Sequence, residues 1–177
     1  MAVDVLVRGG ARKLLDVPTR RRVAARVRAA LKALDRAGSS ATLVFTDDQE
    51  IRVLNRDYRK HDRATDVLSF HLQELAGEGD PAGRDAALGD IVISVETARR
   101  RSGPRRFLAE LERLAIHGLC HLFGHDHKRK PEATVMYALE RRLRRLPLPH
   151  RQASRQLTVD SRQLSSSGSG STRTVDC

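Results

Sequence analysis

Apolar residues recur at helical spacing in four stretches of the chain. In the first stretch, Val23, Val27 and Leu31 fall four positions apart, and five arginines lie at other positions of the same stretch. A period of 3.6 residues with one charged face is typical of an amphipathic helix lying on a core. The pattern predicts helices over residues 18–35, 48–59, 105–123 and 132–145.

Short runs rich in Val, Ile, Leu and Phe predict β-strands at residues 3–7, 41–46, 67–70 and 90–94. Residues 73–87 are rich in Gly, Asp, Glu and Ala, which predicts a flexible loop. Strands and helices are mixed without strict alternation, so we expect a single α+β domain over residues 1–146, a small sheet packed with helices. Residues 147–177 are polar and rich in Ser and Gly, which predicts a disordered tail.

Composition adds a preferred class of partner. The chain has 177 residues, of which 40% are apolar and 3% aromatic, enough for one core built mainly from aliphatic side chains. Its formal net charge is +11, from 33 Lys and Arg against 22 Asp and Glu. Such a field attracts polyanions, nucleic acid first and an anionic membrane second, although an Arg-rich proteome would produce the same bias.

The sequence also indicates a cellular compartment. Asp4 interrupts the first apolar run, and no stretch approaches the roughly 18 apolar residues of a membrane helix. The two cysteines, Cys120 and Cys177, do not form a disulfide framework. We therefore expect a cytoplasmic protein with no signal peptide and no membrane partner.

Residues 117–127, HGLCHLFGHDH, hold four of the seven histidines. His117 and His121 are four positions apart on a predicted helix, so their rings project from the same side. Gly124 allows the chain to leave the helix, and His127 can then approach the same point. Three protein ligands with an open fourth position are typical of a catalytic zinc site, whereas a closed structural site uses four.

The neighbours of these histidines have less certain roles. His125 can replace His127 as a ligand, but solvent or substrate contact is the better interpretation. Asp126 can orient a ligand histidine through a hydrogen bond or cap the turn. Cys120 is interpreted as a small core residue.

The same histidine spacing occurs in metzincin metalloproteases, whose motif begins H-E-x-x-H. Their general-base position is occupied here by Gly118, so the usual way to activate water for peptide hydrolysis is missing. A zincin-type protease stays as one alternative, and a ribosome-binding module with structural zinc stays as another.

Three stretches together resemble one family. They are LNRDYRKHDRATDVLSF at residues 54–70, LGDIVIS at 88–94 and the histidine cluster at 117–127. The combination resembles the bacterial YbeY family of rRNA maturation factors over roughly residues 3–146. One position departs from the family, which commonly has Pro where this chain has His71.

The resemblance implies a zincin-like fold with a small mixed sheet and about five helices. It implies one zinc ion per chain, bound by His117, His121 and His127, and a functional arginine at Arg59. The implied activity is that of a metal-dependent, single-strand-specific endoribonuclease that matures the 3′ end of 16S rRNA and acts in ribosome quality control. The implied partners are single-stranded RNA, rRNA and the small ribosomal subunit, with other ribonucleases and ribosomal proteins as further candidates.

A chemical scheme follows from these residues. The catalytic candidates are Arg59, His117 and His121; a guanidinium can bind nonbridging phosphate oxygens through two parallel hydrogen bonds. Zinc-bound hydroxide or the 2′-hydroxyl of the substrate would attack. Basic side chains should follow the RNA backbone, and the candidates are Arg20, Arg21, Arg22, Arg26 and Arg28 in the first long helix and the arginines between Arg99 and Arg106, including Arg105 and Arg106.

Overall fold

The computed structural model describes residues 2–72, 86–125 and 129–148. Within them the elements follow the order β1 (Ala2–Val7), α1 (Ala11–Leu14), α2 (Val17–Ala33), β2 (Ser40–Thr46), α3 (Asp48–Arg59), β3 (Val67–His71), β4 (Ala87–Ser94), α4 (Val95–Ser102), α5 (Phe107–Leu122) and α6 (Lys130–Arg144). None of the helices described is both long enough and apolar enough to cross a bilayer.

The four strands form one sheet in the order β1-β2-β4-β3. β1, β2 and β4 run parallel to one another, and β3 pairs antiparallel with β4 at the edge. The predicted mixed α+β architecture is therefore confirmed. In this register His71 at the end of β3 lies opposite Gly89 near the beginning of β4.

The two faces of the sheet are covered unequally. Phe45, Ile91 and Ile93 contribute to the large core with α2, α5 and α6, whereas Val44 and Val92 point to the other face. On that second face α3 contributes Ile51 and forms a smaller cluster. Successive residues of a strand alternate between faces, so one sheet supports both clusters.

Three expectations need correction. The described residues contain six helices, two more than the four ranges that the apolar pattern predicted, because α1 and α4 were not predicted. Ala87, expected in the flexible loop, begins β4. The helix expected from residue 105 begins at Phe107, after a short 3-10 turn over Pro104–Arg106. The rest of the predicted loop and the tail beyond residue 148 lie outside the described residues.

Candidate functional site

The candidate site is built on α5, a helix that is buried on most of its surface. Leu111, Leu114 and Leu119 are fully buried in the main core, which fixes the helix against the sheet. His117 and His121 occupy a half-buried flank of the same helix. The predicted arrangement of the pair is therefore observed, with the two rings on one side and one turn apart.

The geometry of the pair fits two ligands of one metal ion. The Nε2 atoms of His117 and His121 are 3.2 Å apart, and the rings meet at 80°. Two nitrogens bound to a tetrahedral zinc at about 2.0–2.1 Å would lie about 3.3–3.4 Å from each other. The separation is therefore close to what a zinc ion requires.

The expected third ligand falls outside this geometry. His127 and Asp126 lie outside the described residues, so their assignments stay predictions. Among residues 2–72, 86–125 and 129–148 alone, no group of three His, Cys, Asp or Glu side chains gathers at a metal position.

Glu140 of α6 orients one member of the pair. Its Oε1 lies 2.6 Å from Nδ1 of His117, and Glu140 is only 6% exposed. When Nδ1–H donates to this carboxylate, neutral His117 keeps its lone pair on Nε2, the atom that faces His121. Glu140 was missed by sequence reasoning, although an acid between buried Met136 and Leu143 on an otherwise Arg-rich helix was a usable signal.

Gly118 has a packing role beside the histidines. A Cβ atom built at this position would lie 2.5 Å from Cγ2 of Ile91 and 3.0 Å from Oγ of Ser69. Position 118 therefore faces the sheet at close range. Glycine is needed for this approach between α5 and the sheet, a reason that the sequence comparison with proteases did not reveal.

The edge strand β3 holds the end of α5. The hydroxyl of Ser69 donates to the carbonyl of Gly118 at 3.1 Å, and Nε2 of His71 lies 2.7 Å from the carbonyl oxygen of His121. An Nε2–H of His71 can donate to this carbonyl, which also accepts from the N–H of Gly124 at 2.8 Å. His71 therefore joins β3 to the histidine-bearing turn.

Gly124 ends the helix as predicted. Its φ of +76° is in the left-handed region, and its N–H donates to the carbonyl of His121 at 2.8 Å. The next N–H, that of His125, donates to the carbonyl of Cys120 at 3.1 Å. The chain thus turns away immediately after the histidine pair.

Arg59 is the last residue of α3 and is exposed. The end of α3 is held against the sheet because Tyr58, the residue before Arg59, packs edge-on against Phe70 of β3, with ring centroids 4.9 Å apart. The side-chain amide of Asn55 donates to the carbonyl of Arg63 at 2.8 Å, which closes the loop after Arg59. Within the described part of the chain, neither a hydrogen bond nor an ion pair joins Arg59 to His117 or His121, so its functional role stays a prediction.

Cys120 is fully buried, in agreement with its interpretation as a core residue. Burial, aided by the nearby negative charge of Glu140, raises the pKa of the Cys120 thiol to about 12. The side chain therefore stays protonated at neutral pH and is neither a thiolate nucleophile nor a ready metal ligand.

The arginines proposed for RNA contact differ in their accessibility. Arg21, Arg105 and Arg106 are exposed, and Arg20 is half-buried. Arg22 is exposed but lies 3.4 Å from Oε1 of Glu112.

Arg26 was wrongly included among the exposed candidates. It is only 7% exposed, donates to the carbonyl of Leu146, and lies 3.6 Å from the Glu112 carboxylate. Its position on the inner side of α2, between buried Val23 and Ala30, explains the error.

A mixed sheet that supports a helix with a paired-histidine centre defines an α+β protein with a candidate metal site. The family model described as Endoribonuclease YbeY matches residues 14–146, a span that contains both histidines and Arg59. The chain therefore belongs to the YbeY family.

Curated relatives agree with this assignment. A protein of Anaeromyxobacter dehalogenans named Endoribonuclease YbeY is 46% identical over 127 residues, which cover 71% of this chain and 63% of the relative. The protein of the same name from Geobacillus thermodenitrificans is 45% identical over 106 residues, covering 57% of this chain and 68% of the relative. The match thus spans less than two thirds of the Anaeromyxobacter protein.

A solved structure supports the fold. The solution structure of TM1509 from Thermotoga maritima is similar with a TM-score of 0.52 and 24% sequence identity. The similarity covers 81% of this chain and 87% of TM1509.

Proposed function

We propose that this protein is a zinc-dependent, single-strand-specific endoribonuclease that matures the 3′ end of 16S rRNA. The observation that carries the proposal is the family match over residues 14–146, a range that includes residues 117–127 and Arg59. The net charge of +11 is suited to a polyanionic substrate. The proposal includes a cytoplasmic location and association with the small ribosomal subunit, ribosomal proteins and other ribonucleases during ribosome quality control.

We assign His117, His121 and His127 as the residues that hold the zinc ion. When bound, zinc would supply Lewis-acid polarisation of the phosphate and a bound water of lowered pKa. Glu140 fixes the tautomer of His117, and the carbonyl contact of His71 steadies the backbone at His121. The ring of His117 and the backbone of His121 are therefore held in position before any ligand arrives.

Arg59 is the proposed partner of the scissile phosphate. Its guanidinium can donate two hydrogen bonds to nonbridging oxygens, and this interaction strengthens as negative charge develops. The 2′-hydroxyl of the substrate is the proposed nucleophile: its oxygen bonds to the adjacent phosphorus, its proton passes to solvent, and the 5′-oxygen of the following nucleotide leaves and takes up a proton, which gives a 2′,3′-cyclic phosphate. A single deoxy substitution at the scissile nucleotide should then stop cleavage.

A metalloprotease is disfavoured by the packing of α5. Position 118 faces Ile91 and Ser69, so a glutamate there would displace the sheet contact before it could act as a base. The other alternative, a ribosome-binding module with structural zinc, would bind ribosomes and zinc without cleaving RNA.

The test measures bound zinc by elemental analysis and cleavage of single-stranded RNA before and after chelation. We expect about one zinc per chain, because three histidines form one site, and activity that chelation removes and zinc restores. Arg59→Gln should lower the turnover by about 100-fold, which is typical for loss of one transition-state donor, while zinc content is unchanged. The matched control is Arg63→Gln, another exposed arginine beyond the end of α3.

Several outcomes would overturn the proposal. They are an absence of RNA cleavage by the zinc-loaded protein, cleavage that survives complete removal of zinc, and digestion of casein in preference to RNA. An Arg59→Gln variant with wild-type turnover would overturn the assignment of Arg59.

A further inference from the structure

We propose that one exposed stripe of α6, formed by Tyr137, Arg141 and Arg144, binds a single strand of RNA and guides it to the histidine centre. This inference rests on the proposed ribonuclease function and names a binding surface for its substrate. None of the three residues belongs to the motifs that indicated the family.

The position of the stripe follows from the buried side of α6. Met136, Glu140 and Leu143 are buried and mark the face that packs against the core. At 100° per residue, Tyr137, Arg141 and Arg144 fall within about 60° of one another on a flank of this face.

The flank adjoins the candidate site. Glu140 lies three positions after Tyr137 and four before Arg144, so both are its nearest neighbours along the helix surface. Since the Glu140 carboxylate contacts His117, the stripe begins one side chain away from the histidine pair.

The chemistry of the stripe fits single-stranded RNA. Tyr137 is 52% exposed, so much of its ring surface is open to solvent. Arg141 and Arg144 are exposed, and the side chain of neither forms an ion pair or a hydrogen bond within the described residues. An aromatic ring on which a base can stack, with guanidinium groups for phosphates, is the combination that binds single strands.

A membrane surface is the competing partner, because a basic helix with an exposed ring can also lie on anionic lipid. The position of the stripe beside the histidine pair favours RNA over a membrane. A lipid surface has no need for the adjacent buried glutamate and histidine pair, whereas a nuclease must bring its strand to that point.

The test is fluorescence anisotropy with a labelled single-stranded 2′-O-methyl oligonucleotide, titrated with the full zinc-loaded chain at several salt concentrations. The 2′-O-methyl groups preserve the phosphates and bases but remove the attacking hydroxyl, so binding is measured separately from cleavage. Cleavage of unmodified RNA by the wild-type protein is measured in parallel.

Two sets of variants isolate the stripe. The double variant Arg141→Gln, Arg144→Gln should bind about tenfold more weakly and reduce the salt slope by about 1.4, at about 0.7 for each single-strand phosphate contact. Its charge-matched control is the double variant Arg12→Gln, Lys13→Gln, which changes two exposed residues of α1. Helix α1 follows β1 and lies at the opposite end of the sheet from His71 and Gly89. Tyr137→Leu should also weaken binding about tenfold, whereas Tyr137→Phe should bind like the wild type because the stacking surface is retained.

The outcomes separate this inference from the proposed function. Equal weakening by the stripe and control pairs, or no weakening by the stripe, would overturn the inference even if the wild type cleaves RNA. Stripe variants that bind RNA like the wild type but no longer bind vesicles of phosphatidylcholine and phosphatidylglycerol would also overturn it. Selective weakening by the stripe variants supports the binding surface, and a wild-type protein that binds in this manner but never cleaves would overturn the ribonuclease proposal alone.

Discussion

The carboxylate of Glu140 lies 2.6 Å from Nδ1 of His117, across the contact between α6 and α5. The two residues are 23 positions apart in sequence, so the orientation of the histidine depends on how the two helices pack. The C-terminal helix is therefore part of the candidate metal centre.

This relationship predicts a loss of zinc affinity in Glu140→Gln. The amide cannot accept as strongly from Nδ1–H, and loss of such an outer partner typically lowers metal affinity by about 10- to 100-fold. Competition with a chromophoric chelator measures the change. Glu132→Gln, at an exposed site in the first turn of the same helix, is the control and should bind zinc like the wild type. Equal zinc affinity in both variants would refute a positioning role for Glu140.

Gly118→Ala should destabilise the fold although alanine is the better helix former. The new methyl would lie 2.5 Å from Ile91 Cγ2, and overpacking of this kind costs about 1–3 kcal/mol in the free energy of unfolding. Propensity alone would give a gain of about 1 kcal/mol. Urea unfolding shows whether Gly118→Ala raises or lowers the free energy of unfolding. Ala109→Gly, at an exposed position of α5, measures the effect of helix propensity alone. A Gly118→Ala protein more stable than the wild type would contradict the close contact.

Arg26→Met should lower the free energy of unfolding by about 3 kcal/mol, since the largely buried Glu112 would keep only the exposed Arg22 as a partner for its charge. The exposed fractions are 8% for the Arg26 side chain and 14% for that of Glu112, and the bond to the Leu146 carbonyl would also be lost. The double variant Arg26→Met, Glu112→Gln should recover part of this loss. Arg21→Met, at an exposed site of α2, should change stability by no more than about 0.5 kcal/mol. If the double variant is as unstable as the single one, the charge pair is not the cause.

Asp47 predicts a pH-dependent contribution to stability. The N–H groups of Glu50, Gly10 and Gln49 lower the pKa of Asp47 below its ordinary 3.8. A carboxylate with a lowered folded-state pKa stabilises the protein above the unfolded pKa, and this contribution is lost as the pH falls through the folded value. Asp47→Asn should therefore be destabilised at pH 7, and the difference from the wild type should shrink below about pH 3.8.

Urea unfolding of Asp47→Asn at both pH values measures this effect. Asp4→Asn, at an exposed position of β1, is the control and should show a much smaller dependence. A penalty for Asp47→Asn that is the same at pH 7 and in acid would indicate that charge is not involved.

The sequence predicted the sheet and the long helices because their apolar periods are strong. It did not reveal α4, because Ser94 ends β4 and also caps the helix by accepting from the N–H of Thr97 at 3.1 Å. With no intervening loop, no Gly or Pro marks the boundary.

The candidate site was predictable only where its geometry is local. His117 and His121 are linked by helical spacing, and this relationship was visible in the sequence. Glu140 and the packing of Gly118 depend on contacts between distant elements, so neither was predicted. Arg26 shows the opposite error, since a charged residue at an inner position was assigned to the surface.

Among the described helices, α3 is the one that packs on the second face of the sheet, and this placement has a dynamic consequence. Ile51 anchors this helix in a cluster that is separate from the main core, so α3 can open locally without unfolding the histidine helix. Amide hydrogen exchange should therefore be faster in α3 than in α5. The chain thus combines a histidine pair carried by a helix of the main core with an arginine, Arg59, carried by a helix that packs in its own smaller cluster.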